Sequence, residues 1–408
     1  MMARRTRCRT TPARRIMSPS PFRALSRAPL AVALLVLVAC SGREDAADGA
    51  DEPAARRGEV ELSIGEIDGA EEYTFARIGG IAVDSAGRMF VADNDAHTVR
   101  IFSPDGKFVR AIGRHGQGPG EFVEPCCIAL RGDTLWVRDG GNVRYDAFVV
   151  QDTTAVPLPS IRMAHHDVNR WAPVTFDASG NVIDVGTDPN VGNVPGAPSL
   201  LARFHLDRTG RVVAKDTVPA PPADSTPVHK ATSRTPTGGF MTRFIYAPYP
   251  PLALRAYSPT GEQARAVSSR YSIAWLGADG RVLRTVTGTA EPPALSASEV
   301  ARAESALVRD MKWIEKGDSD SPFKVPSHKQ PLREMYFDLD GRLWVELSVS
   351  QGADRRAHVY DRDGRHAYTV EWPSNVNLSR FGAIRGMTGY GVLTDSLDVE
   401  RVARLRLR

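Results

Sequence analysis

Four glycines crowd the stretch GRHGQGPGEF, Gly113–Phe122, behind an Arg-His pair, and the first chemistry this suggests is a phosphate cradle. A P-loop needs Gly, four residues and then Gly-Lys-Ser/Thr, while a dinucleotide loop needs a strand before it and a helix after. Here Pro119 interrupts the glycines and the apolar, strand-like FVEPCCIAL follows, so the stretch reads as a connector between two sheets. Cys126 and Cys127 are too few to fill a zinc site. Neighbours on an extended strand face opposite sides, so two packed thiols are expected rather than a vicinal disulfide. Asp93, Asp139 and Asp395 stand where strand-like runs end, with His97, Arg114, His115, Arg138, His165, His166 and His328 on nearby loops. They offer two chemistries: a polar ring for a ligand or ion, or aspartates that cap their own turns through backbone hydrogen bonds. Adjacent histidines cannot easily aim at one metal, so His165-His166 reads as a solvated loop. Asp338-Leu339-Asp340-Gly341 and Asp361-Arg362-Asp363-Gly364 resemble pieces of a calcium loop, but Tyr336 and Val359 occupy the first-acid positions, which leaves hairpin turns. There is no Gly-x-Ser-x-Gly and no His-Glu-x-x-His. No catalytic residue, metal ligand set or cofactor is assigned.

The elements that must position these groups recur along the chain. Gly79–Gly113 holds four short apolar or alternating runs, GIAVD, RMFVAD, TVRIFS and KFVRAIG, with glycine turns between the first pair and the last pair. The pattern returns at 172–218, 252–288 and 333–372, more diverged at 126–160, and the tail from Phe381 supplies only three runs. GEVELSIGEI, Gly58–Ile67, is a strand with no module of its own. Pairing it with the tail completes a sixth sheet. The expected fold is all-β: a six-bladed β-propeller of four-stranded antiparallel blades, closed by the amino-terminal strand joining the last blade.

Long insertions punctuate the repeat at 187–199, 219–250, 289–331 and 347–356. All fall between second and third strands or between blades, which places them at one end of the channel, where loops on a rigid scaffold carry binding. One insertion is helical: Ser296-Ala297-Ser298-Glu299 is a capping box, and Val300, Leu307, Met311 and Ile314 follow at helical spacing, which predicts a helix from Ala297 to Lys316. GGFMTRFIYAP reads as an extra strand.

The first full module resembles the NHL repeat, with the strand ending Val91-Ala92-Asp93, the strand Val99–Phe102 and the glycine-rich exit Gly113–Phe122. From Gly58 onward the chain is similar to six-bladed NHL-like propeller lipoproteins of Gram-negative bacteria. The resemblance also implies an alternative: some six-bladed propellers are lactone hydrolases and some NHL-like ones amidating lyases, built around calcium or zinc at the channel.

The amino terminus carries its own signal. Arginines precede a short apolar run, Ala31–Ala39, too short for a permanent span but suited to a signal peptide. Leu37-Val38-Ala39-Cys40 resembles a lipobox, in which Cys40 is acylated and becomes the first mature residue; by the same resemblance Ser41 favours the outer membrane. Met17 is a second candidate start. Residues 1–39 read as signal peptide, 40–57 as a disordered tether and 58–408 as propeller. Residues 1–39 carry eight arginines and no acid, so their removal turns a formal charge of +4 into −4. A mildly acidic mature chain gives no case for nucleic acid.

The function expected from these features is that of a monomeric, lipid-anchored binding module in the cell envelope, touching the membrane only through its lipid. Its loop-rich face would take a protein, peptide or glycan, with Asp93, His97, Arg114, His115, Arg138, Asp139 and Asp395 as candidate face residues.

Overall fold

The computed structural model describes residues 54–152, 154–164, 174–187, 199–218, 228–234, 238–277, 279–311, 323–378 and 382–408. Six antiparallel sheets follow one another along the chain and form a six-bladed β-propeller. The first blade shows the logic, as an antiparallel meander of Ile78–Val83, Met89–Asp93, Thr98–Phe102 and Phe108–Ile112. Alternate side chains of one sheet face the two neighbouring blades. Phe90, Ala92, Val99 and Ile101 therefore pack with Leu135, Val137 and Phe148 of the second blade, while Met89, Val91 and Phe102 pack with Tyr390, Val392 and Val402 of the sixth. The core is thus distributed between blades. Further clusters join blades two and three, four and five, and five and six. Blades three and four meet at their turns, where a side chain added at Gly261 would stand 2.9 Å from the Asp177 backbone.

Most of the short turns repeat one device. Asp84 accepts the amides of Ala86 and Arg88 around the left-handed Gly87. Asp177, Asp207, Asp338 and Asp361 do the same, and Ser258 does so with its hydroxyl. The calcium-like sequences at Asp338 and Asp361 are these turns.

The second blade departs from the pattern, because its outer edge is split into Ala155–Pro157 and Ile161–Arg162. A groove of about 430 Å³ opens at the break, lined by Pro159, Ile161, Phe204 and Val212.

The ring closes as the unpaired strand requires. Gly58–Ile64 runs antiparallel to Glu400–Leu407, the third strand of the sixth blade. The strand starts earlier than the expected tether boundary, at Ala54, because Ala54–Arg57 pair in parallel with Tyr368–Glu371, the outer strand of the fifth blade. One segment therefore ties two blades into a continuous nine-stranded sheet. The backbones of Arg57 and Arg408 also exchange hydrogen bonds of 2.8 and 2.9 Å.

The extra elements belong to the insertions. Val228–Arg234 and Phe240–Tyr246 form a separate hairpin, and Ala297–Met311 is the helix. The remainder of the expected helix, 312–316, lies outside the described residues, as do Cys40 and the pair His165-His166. No helix among the described residues is long and apolar enough to cross a membrane.

Candidate functional site at the loop-bearing pole

Strand direction alternates within a blade, so the short turns gather at one pole, and the connectors between blades and the long insertions gather at the other. Three insertions on this second pole join into one structure over blades four and five. The capping box forms as a reciprocal pair: Ser296 N–H donates to Glu299 Oε2 at 2.9 Å, and Glu299 N–H to Ser296 Oγ at 3.2 Å. Leu307 on the helix packs against Ile245 of the hairpin, with Phe323 and Val325 beside them. Ser296 and Ser298 donate to Gln351 Oε1 of the 347–356 loop at 2.6 and 2.8 Å. Lys329 links these parts, lying 2.7 Å from Glu299 Oε1 and donating to Val349 O at 2.9 Å.

That ion pair sets an acid limit. Lys329, then the Ser296 amide, hold the Glu299 carboxyl down at about 2, against an ordinary 4.5. A depressed carboxyl contributes stability that is complete above its unfolded value and disappears as pH falls through its folded one. Protection of the helix amides in hydrogen exchange is therefore expected to fall between pH 4.5 and about 2, and Lys329→Met is expected to move that loss upward in pH.

The glycine-rich connector is held from beneath. Arg144, at the start of a strand in blade two, donates to the carbonyls of Gln117, Gly118 and Glu121 at 2.7, 2.9 and 2.8 Å. Asn142 adds a bond to Gly116 O at 3.0 Å. The loop's own acid occupies the place an anion would take, since Glu121 Oε2 accepts the Gly118 amide at 2.8 Å and Oε1 pairs with Arg114. The Gly118 amide and then Arg114 hold the Glu121 carboxyl below its usual value. Gly116 has φ +153°, and a side chain there would stand 2.1 Å from Glu121 Oε2. Its glycines make room for a carboxylate already in the chain. Arg144, which does most to order the loop, carries no motif that sequence reading could have found.

The expected site residues separate into two levels. His97 and His115 come together on the surface, with ring centroids 4.5 Å apart, and Arg114 is exposed next to them. His97, at φ +57°, donates from Nδ1 to Val123 O at 2.8 Å. Asp93, Arg138 and Asp139 lie beneath that surface, 0, 1 and 0% exposed. Asp93 accepts the amides of Ala76 and Arg77 on the incoming connector, at 3.0 and 3.1 Å, and pairs with Arg100 at 3.1 Å. Asp139 likewise accepts the amides of Val123 and Glu124, at 3.1 and 2.9 Å, and Asn142 Nδ2 at 2.7 Å. Each also caps its own turn, as the second reading expected, through the amide of Ala96 at 3.3 Å and of Asn142 at 3.2 Å, and so fixes where the chain enters its blade.

Asp395 is different. It caps its own turn through the amides of Leu397 and Val399, which lower its pKa, and pairs with Arg401 at 2.9 Å. The clamp that meets the first blade from the sixth is Glu400 instead, accepting Ile78 N–H at 2.6 Å. Asp184 of blade three is a clamp that sequence spacing missed: it sits inside its strand rather than at the end, accepting Ala164 N–H at 2.7 Å and Tyr145 OH at 2.8 Å. His328 is exposed away from these groups, next to Ser327. Among the described residues no three His, Cys, Asp or Glu side chains are grouped to hold a metal ion.

Comparison with a family model agrees on the architecture. The model of the DUF5128 family, described as a 6-bladed beta-propeller, matches residues 68–172, less than half of the chain. No curated protein sequence matches. Among solved structures, a protein from Bacteroides fragilis described as exported is 11% identical, with 87% of this chain and 98% of that one covered at a TM-score of 0.46. A member of the duf4221 family from Bacteroides vulgatus is 10% identical, with 86% and 98% covered and a TM-score of 0.45. Virginiamycin B lyase from Staphylococcus aureus is 9% identical, with 85% and 98% covered and a TM-score of 0.41. Likeness at this level carries nothing about activity.

Proposed function

We propose that the chain is a lipid-anchored envelope protein that works by binding, through the pole carrying the insertions, rather than by catalysis. The supporting observation is the division of labour at that pole. Its acids clamp backbone amides, while the hairpin, helix and 347–356 loop are knitted into a raised surface. Lipobox and signal sequence support the anchor, and the residues resembling an NHL repeat support the class of protein. Strand order adds an orientation. Ala54 opens its strand at the pole of short turns, opposite the pole that carries the insertions. A protein, peptide or glycan is met at the latter pole, by one copy of the chain and without nucleic acid.

The anchor is tested by metabolic labelling with an alkyne palmitate, which should mark the full chain and not Cys40→Ala. Binding is tested by affinity capture from solubilised envelopes, with the 228–246 hairpin replaced by a short Gly-Ser linker in the comparison chain. A partner recovered by the parent and lost with the hairpin supports the reading; equal recovery overturns it. A stoichiometric calcium or zinc in the purified chain would favour the hydrolase or lyase alternative.

A further inference from the structure

The innermost strand of blade two, Pro125–Arg131, carries a bulge: Cys126 pairs with Arg138 and Ile128 with Val137, leaving Cys127 as the extra residue. Cys127 is held at φ +50°, a region that non-glycine residues seldom adopt and that clusters at functional sites. Expected opposition of the two thiols assumed an extended backbone. No disulfide joins the two cysteines in the structure, and the bulge has removed the geometric reason for keeping them apart. Cys126 is buried and Cys127 half-buried. Across the sheet the row continues through Arg138 to Tyr145, both buried, and Tyr145 OH donates to Asp184 Oδ1 at 2.8 Å. Burial works against the Arg138 charge, Tyr145 is the first of the groups that favour it, and Cys126 and then Cys127 are within electrostatic range of it. A fixed cation next to a thiol favours the thiolate, the form that attacks sulfur.

We propose that Cys126 and Cys127 form a thiol–disulfide exchange centre on the channel wall, with Cys127 the attacking thiolate, Arg138 the cation that stabilises it and a small-molecule disulfide the oxidant. The Cys127 thiolate attacks one sulfur of the disulfide, forming a mixed disulfide and releasing the first small thiolate. Cys126 gives its proton to solvent and attacks Cys127 Sγ, which breaks the mixed disulfide and releases the second. Two protein thiols become one disulfide as one disulfide becomes two thiols. Arg138 touches no substrate and acts as a positioning residue.

The test uses the full chain, with peptide-resolved mass spectrometry to separate these cysteines from Cys8 and Cys40. In Cys126→Ser, alkylation of Cys127 against pH is expected to show a pKa about one unit below an ordinary thiol, which is about an eightfold larger thiolate fraction at pH 7 and, because nucleophilicity falls with pKa, about a threefold higher rate. Arg138→Met should abolish that advantage and Arg138→Lys restore part of it. In the parent chain, oxidised glutathione should give a peptide lighter by two hydrogens. An ordinary Cys127 titration, or a glutathione adduct that persists without closing, would overturn the proposal. If Arg138→Met does not fold, the Cys127 titration in Cys126→Ser decides alone.

Discussion

Deletion of Ala54–Ile64 is expected to abolish cooperative folding. The strand supplies the fourth position of the sixth blade and the buried Ile64, 4% exposed, in the core shared by the sixth and first blades. Its loss would leave Glu400–Leu407 as a bare edge and open the wall of that core. Loss of Ile64 alone corresponds to roughly 2–5 kcal/mol, and each lost ladder hydrogen bond to about 1 kcal/mol more. Their sum is comparable to the whole stability of an ordinary domain. Size-exclusion chromatography should show association through the exposed edge, and thermal unfolding should lose its sigmoidal transition. A deleted chain that stays monomeric and melts cooperatively would show that the other blades stand without closure.

The second large effect is expected at Asp139. Replacing it with alanine removes a fully buried acceptor from the part-buried amides of Val123, Glu124 and Asn142, and leaves the Asn142 side-chain amide only its bond to Gly116 O. Buried donors left without an acceptor cost about 1–3 kcal/mol each, less where relaxation admits water, so a total of about 3 kcal/mol is expected. Asp139→Asn keeps one acceptor oxygen and should cost less than half as much. Urea unfolding should show a lowered midpoint with an unchanged slope, and hydrogen exchange should quicken across 114–124. A change below about 0.5 kcal/mol would mean that Arg144 and Asn142 hold the connector without the carboxylate.

These effects explain what sequence could and could not reveal. The blades were legible because two signals agree in most modules: alternation that fills the spaces between sheets, and a glycine turn, which the structure shows to be capped in most blades by an Asp or Ser. The closing strand was legible from a deficit, three runs where four were needed. Its extension to Ala54 was not, because Ala54–Arg57 is largely exposed and polar and leaves no hydrophobic pattern. The capping box was readable because its partners lie three residues apart. By contrast, Asp93 and Asp139 could be read only in part: their own-turn caps follow from turn chemistry, but their further partners are backbone amides on the preceding connector, and an amide has no residue identity. Arg144 was silent for the same reason, since the three carbonyls it binds belong to residues of any type. At Cys127, spacing implied an extended backbone, and the bulge is set by tertiary packing that alternation does not encode.

The segment that joins the fifth and sixth blades also determines how the molecule bears load. A pull applied at its amino terminus acts along the strand axis, so the parallel ladder to Tyr368–Glu371 and the antiparallel ladder to Val402–Leu407 are strained in shear. Bonds loaded that way must break together rather than one by one. A tug at that end would therefore meet both ladders of the seam in shear, their resistant direction.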